Sequence, residues 1–305
     1  MLPIAWYFLK VTVCSGILLG YYWLALRNKV FHHYNRFYLL STILLSTLLP
    51  FVQLTFQASS TQRVSTIKVL EAVSYGNTFF NKATSNGISA SHYNWQWLYP
   101  TAYLLISLLL LFVFIKMLLQ IRALLLKYPV AKIESISFIN TNNEKGTPFS
   151  FLRYIFWNSQ IDITTKQGNQ IFKHELAHIN EKHTYDKLFI NGLLILFWSN
   201  PFFWLIRKEL NLIHEFIADK KAVEDGDTGA FAAMILQSIY PNHQLAIVNN
   251  FFYSPIKRRL LMLTKIKNPT ANYFGRILVL PLAVIMFAAF TLKVNKSKSL
   301  YHGKK

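Results

Sequence analysis

Two short stretches of this sequence place residues that can do chemistry at helical spacing. In KHELAHINEKH (173–183), His174 and His178 lie four apart, with Glu175 beside the first. Residues four apart on a helix stand one above the other on the same face. Both rings can therefore offer a nitrogen to one zinc ion at about 2.0–2.1 Å. Glu175 then points at the open coordination position, where it can take a proton from water and return it to a leaving amine. A catalytic zinc site needs a third protein ligand. One zinc-protease class supplies a His six residues after the second motif His; that position here is Thr184, which excludes the class. His183 follows too closely and rotates off the face, and Asp186 lies further on. The better candidate is in NPFFWLIRKELNLIHEFIADKK (200–221), where Glu215 and Asp219 are again four apart. Glu215 can bind the metal, and Asp219 can accept a hydrogen bond from the outer nitrogen of a ligating His. Taken alone, such an acid pair is more often a solvated helix face. His214 reads as a surface or outer residue, and Glu209 as an ordinary charge paired with Arg207 or Lys208. It is the joint occurrence of the two stretches that favours a metal site.

The elements that must position these residues follow from pattern. The spacing of Ile171, Phe172, Leu176 and Ile179 predicts a helix from about Thr164 to His183. Asn200 as N-cap and Pro201 at the first helical position start the second helix, which Gly226 can end. Between them Leu188–Ile206 is apolar enough to suggest a membrane span, but WSNP (198–201) breaks it. The expectation is two helices meeting at that break, so that both halves of the site stay on one side. Upstream, VAKIESISFI (130–139) reads as a strand, NTNNEKGTP (140–148) as a turn and FSFLRYIFWN (149–158) as a second strand.

Composition sets the environment. The chain has 305 residues, 53% hydrophobic and 15% charged, against about 25% charged in soluble domains. The one cysteine, Cys14, allows neither an internal disulfide nor a cysteine zinc cluster. A net charge of +19 without a nucleic-acid-binding motif points to basic residues flanking membrane spans, and direct nucleic-acid binding is not expected. Spans need about 20 apolar residues, and the expected ones are residues 3–26, 37–56, 98–121 and 274–292. Lys10 and Lys116, within spans, read as snorkelling or packed lysines. The first span reads as a retained anchor, since it lacks a basic leader and a cleavage site. The basic link RNKVFHHYNR (27–36) should face the cytoplasm, which puts the loop 57–97 outside and the segment 122–273 back inside. The lysine-rich tail KVNKSKSLYHGKK runs against that order, because it would end outside.

The fold class expected is thus a mainly α, polytopic membrane protein. Residues 1–121 form an N-terminal membrane region, 122–273 a cytosolic α+β metalloprotease domain, and 274–305 the last span with its tail. A multi-pass location in the cytoplasmic membrane, in contact with lipid, is expected. A homodimer is compatible with this reading.

The motifs TPFSFLRYIFWN (147–158), HELAHINEKHTYDKL (174–188), FWSNPFFWLIRKELNLIHEFIADKKAV (197–223) and NNFFYSPIKRRLLML (249–263) resemble those of the BlaR/MecR antirepressors. These are integral-membrane zinc metallopeptidases, and the wording is most similar to Bacteroidetes-type members. The resemblance implies that His174, His178 and Glu215 bind Zn2+, that Glu175 is the general base and that Asp219 supports the site. It also implies a protein substrate, either the chain itself or a winged-helix transcriptional repressor. Zinc proteases of this build hold substrate as an added strand on a sheet edge, a role open to 149–158 alongside plain core packing by Phe149, Phe151 and Ile155. The antirepressors carry a penicillin-binding sensor after the last span; here only Lys293–Lys305 follow, so no such sensor and no β-lactam sensing are expected. Competing readings are a non-catalytic transmembrane signalling protein and, less well supported, a transporter.

Overall fold

The computed structural model describes residues 2–51, 54–57, 97–133, 136–142, 146–223, 229, 231, 254–264, 279 and 292–295. The expected loop 57–97 and span 274–292 lie almost wholly outside these, as does the helix end expected at Gly226. The described chain is mostly helical with two small sheets. It begins with α1 (Leu2–Tyr21), which continues through a π-helical turn at Tyr22–Leu26, closed by the Arg27 amide on the Tyr22 carbonyl at 2.8 Å. Helix α2 (His32–Leu48) runs back antiparallel: Tyr38 Oη donates to the Leu18 carbonyl at 2.7 Å and Tyr7 Oη to that of Thr47 at 2.9 Å. A 3₁₀ turn at Leu49–Phe51 and strand β1 (Leu54–Gln57) follow.

Helix α3 (Leu98–Lys127) comes next, then β2 (Val130–Ile133), β3 (Ile136–Thr141), β4 (Phe149–Phe151) and β5 (Tyr154–Asn158). The helices α4 (Lys166–Asn180), α5 (His183–Leu196), α6 (Pro201–Ala222) and α7 (Ser254–Thr264) precede a last strand, β6 (Leu292–Asn295). Among the described residues two helices are long and apolar enough to cross a membrane, Ile4–Leu26 and Leu98–Lys127. None of α3 is buried, and Leu104, Leu109 and Phe112 are each about 60% exposed. At 1.5 Å per residue it is about 45 Å long, which matches a bilayer with its headgroups. An apolar surface of that size in water would be unusual. The second expected span differs: α2 stops at Leu48, ahead of Pro50, which has no amide hydrogen to continue the helix.

The two expected strands are each a hairpin. Residues 130–139 divide into β2 and β3, paired antiparallel, and 149–158 into β4 and β5, turned at Leu152 with a φ of 54°. The sheet order is β2-β3-β5-β4, with β3 and β5 parallel, so β4 lies at an edge, against α4. The Leu152 amide donates to Thr184 Oγ1 at 3.1 Å, which fixes that hairpin to the start of α5.

The apolar run at 188–206 does break at Asn200. Helix α5 ends at Leu196, and the Asn200 side chain caps α6 by accepting from the Phe202 amide at 3.0 Å. Its side-chain nitrogen also donates to Ser15 Oγ at 3.0 Å, in the second half of α1. A Cβ on Gly16 would come within 2.8 Å of the Phe202 ring, so glycine permits this close approach. From there α6 runs beside α1 toward Tyr22 and Arg27. Tyr22, Leu39, Ile43, Ile190, Phe203, Ile206, Leu210 and Ile213 form the core that joins α1, α2, α5 and α6. The helix that carries Glu215 is thus built into the first two helices rather than tethered to them.

Candidate metal centre

The motif helix is fixed at both ends. Thr165 caps α4, its hydroxyl accepting from the Gly168 amide at 3.0 Å. The Asp162 carbonyl folds over that first turn so closely that a Cβ on Gly168 would lie 2.0 Å from it. At the other end the chain takes a left-handed conformation at Lys182, φ 58°, before α5 begins. The helix is therefore shorter than Thr164–His183, and the break matters for His183. In a continuous helix His183 would point away; the turn swings it back, and its Nδ1 lies 2.8 Å from His178 Nδ1.

Antiparallel packing of α4 on α6 brings His174, His178 and Glu215 together, with one ligand atom from each lying within 4.8 Å of the others. His174 Nε2 and His178 Nε2 are 3.2 Å apart. Glu215 places Oε2 3.6 Å from His174 Nε2 and Oε1 3.5 Å from His178 Nε2. Such a group could hold a metal ion. The outer His174 Nδ1 faces Asp219 Oδ1 at 3.1 Å, and the Asp219 side chain is 1% exposed.

Asp186 and His214 lie elsewhere. His214 is fully buried, stacks on His183 with ring centroids 4.1 Å apart, and has Nε2 2.8 Å from Asp186 Oδ2. The same Asp186 oxygen accepts from Arg36 Nε at 2.6 Å. Asp186 is therefore engaged by α2 and α6, not by the motif histidines. A buried chain of groups runs outward from His178 through His183 and His214 to Asp186 and Arg36.

Electrostatics suit a cation at the centre. Burial would lower His174, but the carboxylates of Asp219 and Glu215 outweigh it and hold the ring at about 10. Burial would raise Glu215, yet the hydrogen bond from His174 and the charges of His174, His178 and Arg259 keep it well below the usual carboxylate range. Burial, with His174 beside it, takes His178 down to about 3, a neutral ring with a free lone pair. Glu175 is the one acid here pushed upward, by burial, against the opposing His174 charge and a hydrogen bond from the Ser150 hydroxyl.

Sequence reasoning missed three partners. Arg259, on α7, reaches Asp219 and Glu215. Arg258, beside it, reaches Glu209. Glu209 does not pair with Arg207 or Lys208, because residues one and two apart do not face each other on a helix. It is buried and receives Arg27, Arg258 and Tyr22. The basic run KRR (257–259) in the quoted 249–263 motif was the one available signal, and it named no partner.

No curated protein matches the chain significantly. A family model, BlaR1 peptidase M56, matches residues 155–263, a stretch that includes β5, α4, α5, α6 and α7. This match carries both the His-Glu-x-x-His motif and the Glu215 helix, and it supports the relation of residues 155–263 to the BlaR/MecR-type family that the motif wording implied.

Proposed function

We propose that this protein is a membrane-embedded zinc endopeptidase that cuts a peptide bond of itself or of a cytosolic regulatory protein of repressor type. The observation that carries the reading is the convergence of three donor groups. Atoms bonded to one zinc at about 2.1 Å in tetrahedral array lie about 3.4 Å apart; here the two Nε2 atoms are 3.2 Å apart, and Glu215 sets Oε2 3.6 Å from that of His174 and Oε1 3.5 Å from that of His178. His174, His178 and Glu215 would hold the ion, and the set matches zinc in being two imidazoles and one carboxylate. A bound zinc supplies an electrophile that polarises the scissile carbonyl.

The chain's own residues account for the rest. Glu175, with its raised pKa, takes a proton from the attacking water and passes it to the departing amine. Asp219 Oδ1, 3.1 Å from His174 Nδ1, would hold that ring with its Nε2 aimed at the ion. His183 does the corresponding work at His178 Nδ1. Strand β4, at the sheet edge beside α4, is placed to receive a substrate in extended form as an added strand.

The full chain, purified in detergent, is expected to carry about one zinc and to cleave casein or itself. Chelation should abolish cleavage and added zinc restore it. Cleavage by the metal-free protein, or a zinc-loaded protein that cuts nothing, would sink the reading. The second outcome would favour the alternative, a non-catalytic signalling protein, which the ion pairs from Arg27 and Arg36 into the site domain also suit.

The same proposal sets topology: four spans in the inner membrane with the metal centre on the cytosolic side. The parallel pairing of β1 with β6 supports it, since β1 follows the end of α2 remote from Asp186 and brings Leu292 there too. On a Cys14→Ser background, single cysteines at Lys166 and Lys221 should label only after the inner membrane is permeabilised. Labelling of the two from opposite sides would refute this topology and the metal site with it.

A further inference from the structure

We propose that Arg259 is a positioning residue of the metal centre, holding the carboxylates of Asp219 and Glu215 in the arrangement that lets His174 and Glu215 share one ion. The inference rests on the metal reading above and concerns a residue to which neither the motif nor the zinc-ligand pattern gives a role. Arg259 Nε donates to Asp219 Oδ2 at 2.7 Å and Nη2 to Oδ1 at 2.6 Å, a two-pronged contact with both carboxylate oxygens. Its third nitrogen, Nη1, lies 3.2 Å from Glu215 Oε2. One planar group thus spans both acids. The Asp219 Oδ1 that Nη2 holds is also the oxygen that faces His174 Nδ1 at 3.1 Å.

The geometry suits positioning better than mere charge balance. Asp219 is 1% exposed in its side chain and Arg259 18%, so little water competes for the contact. A guanidinium stays protonated and keeps its fork, which a lysine ammonium cannot reproduce. Without Arg259, Asp219 could turn from His174, and the ring that must direct Nε2 at the ion would lose its outer partner.

Arg259 is itself anchored. The neighbouring Arg258 places Nη1 and Nη2 3.0 Å from Glu209 Oε2. Glu209 also takes Arg27 Nη2 at 2.9 Å and Tyr22 Oη at 3.3 Å, both from the π turn that ends the first helix or the residue after it. Met262 of α7 packs on Leu212 and Phe216 of α6. The grip on Asp219 therefore starts from a base fixed to α1 and α6 together.

The test uses the full chain in detergent, with zinc affinity read by chelator competition and site geometry by the visible absorption of the Co2+-loaded protein. Arg259→Gln is expected to weaken zinc binding about 10–100-fold, the usual loss for an outer partner, and to change the Co2+ spectrum while helical circular dichroism stays as in wild type. Arg259→Lys keeps the charge without the fork, and should fall between the two in affinity. Should Arg259→Gln not fold, the lysine variant decides. If Arg259→Gln, or in its place Arg259→Lys, shows wild-type affinity and an unaltered Co2+ spectrum, Arg259 has no positioning role, though the metal site stands. A wild-type chain that binds neither metal overturns both the site and this inference.

Discussion

Replacing Glu175 with Gln is expected to leave zinc in place and to lower turnover by about 10²–10⁴-fold, the usual contribution of a general base. Gln keeps the shape of the side chain and can still meet the Ser150 hydroxyl, but it cannot accept a proton from water at neutral pH. His174→Ala, His178→Ala and Glu215→Ala should fail differently, losing the metal and activity together. The contrast is the informative part, because a misfolded site would lose both in all four variants. Metal content by atomic absorption beside a cleavage assay reads it directly. Full activity in Glu175→Gln would end the enzyme reading, and zinc retained in Glu215→Ala would reopen the choice of third ligand.

The largest effect on stability is expected at Glu209, which is no part of the donor set itself. Glu209→Ala leaves Arg258, 14% exposed in its side chain, facing Arg27 with no anion between them. Removing one partner of a buried ion pair costs about 3–5 kcal/mol. The low end, about 3 kcal/mol, applies here, since the Arg27 side chain is 34% exposed and partly solvated. Unfolding in mixed micelles should show it as a clear loss of stability, with Glu209→Gln intermediate. Wild-type stability in Glu209→Ala would mean that the converging arginines find water instead.

What the sequence disclosed and what it hid divide along a physical line. His174, Glu175 and His178 were legible because one helix turn sets their spacing, and the break at Asn200-Pro201 because a cap and a missing amide are local chemistry. Glu215 and Asp219 were legible as a pair on one face, and the packing of α4 on α6 turned that pair toward the histidines. The fate of His183 was not, since it depended on one left-handed residue, Lys182, that periodicity does not report. Arg259 and Glu209 were hidden for another reason: the partners lie 40 residues away for Arg259–Asp219, and 49 and 182 for Arg258 and Arg27 on Glu209, across packing no short-range pattern encodes. The strands at 130–139 and 149–158 were assigned as single elements because an apolar alternation continues through a tight turn; the hairpin at Leu152 shows only in the backbone.

The alignment of α6 with α1 acts as a depth gauge. Asn200 meets Ser15 and Glu209 meets Tyr22 and Arg27, so the two helices keep nearly equal pace along their length. Glu215 lies six residues beyond Glu209, about 9 Å at 1.5 Å per residue. In a bilayer whose hydrocarbon ends near Leu26, where the apolar helix ends, the proposed metal centre would sit in the headgroup layer, which is about 5–8 Å thick on each side, or just beneath it. A folded globular partner cannot bring a peptide bond that close to the lipid unless the bond lies on a segment long enough to reach. In the proposed protease, anchorage would thus sort substrates by reach before any side chain is read.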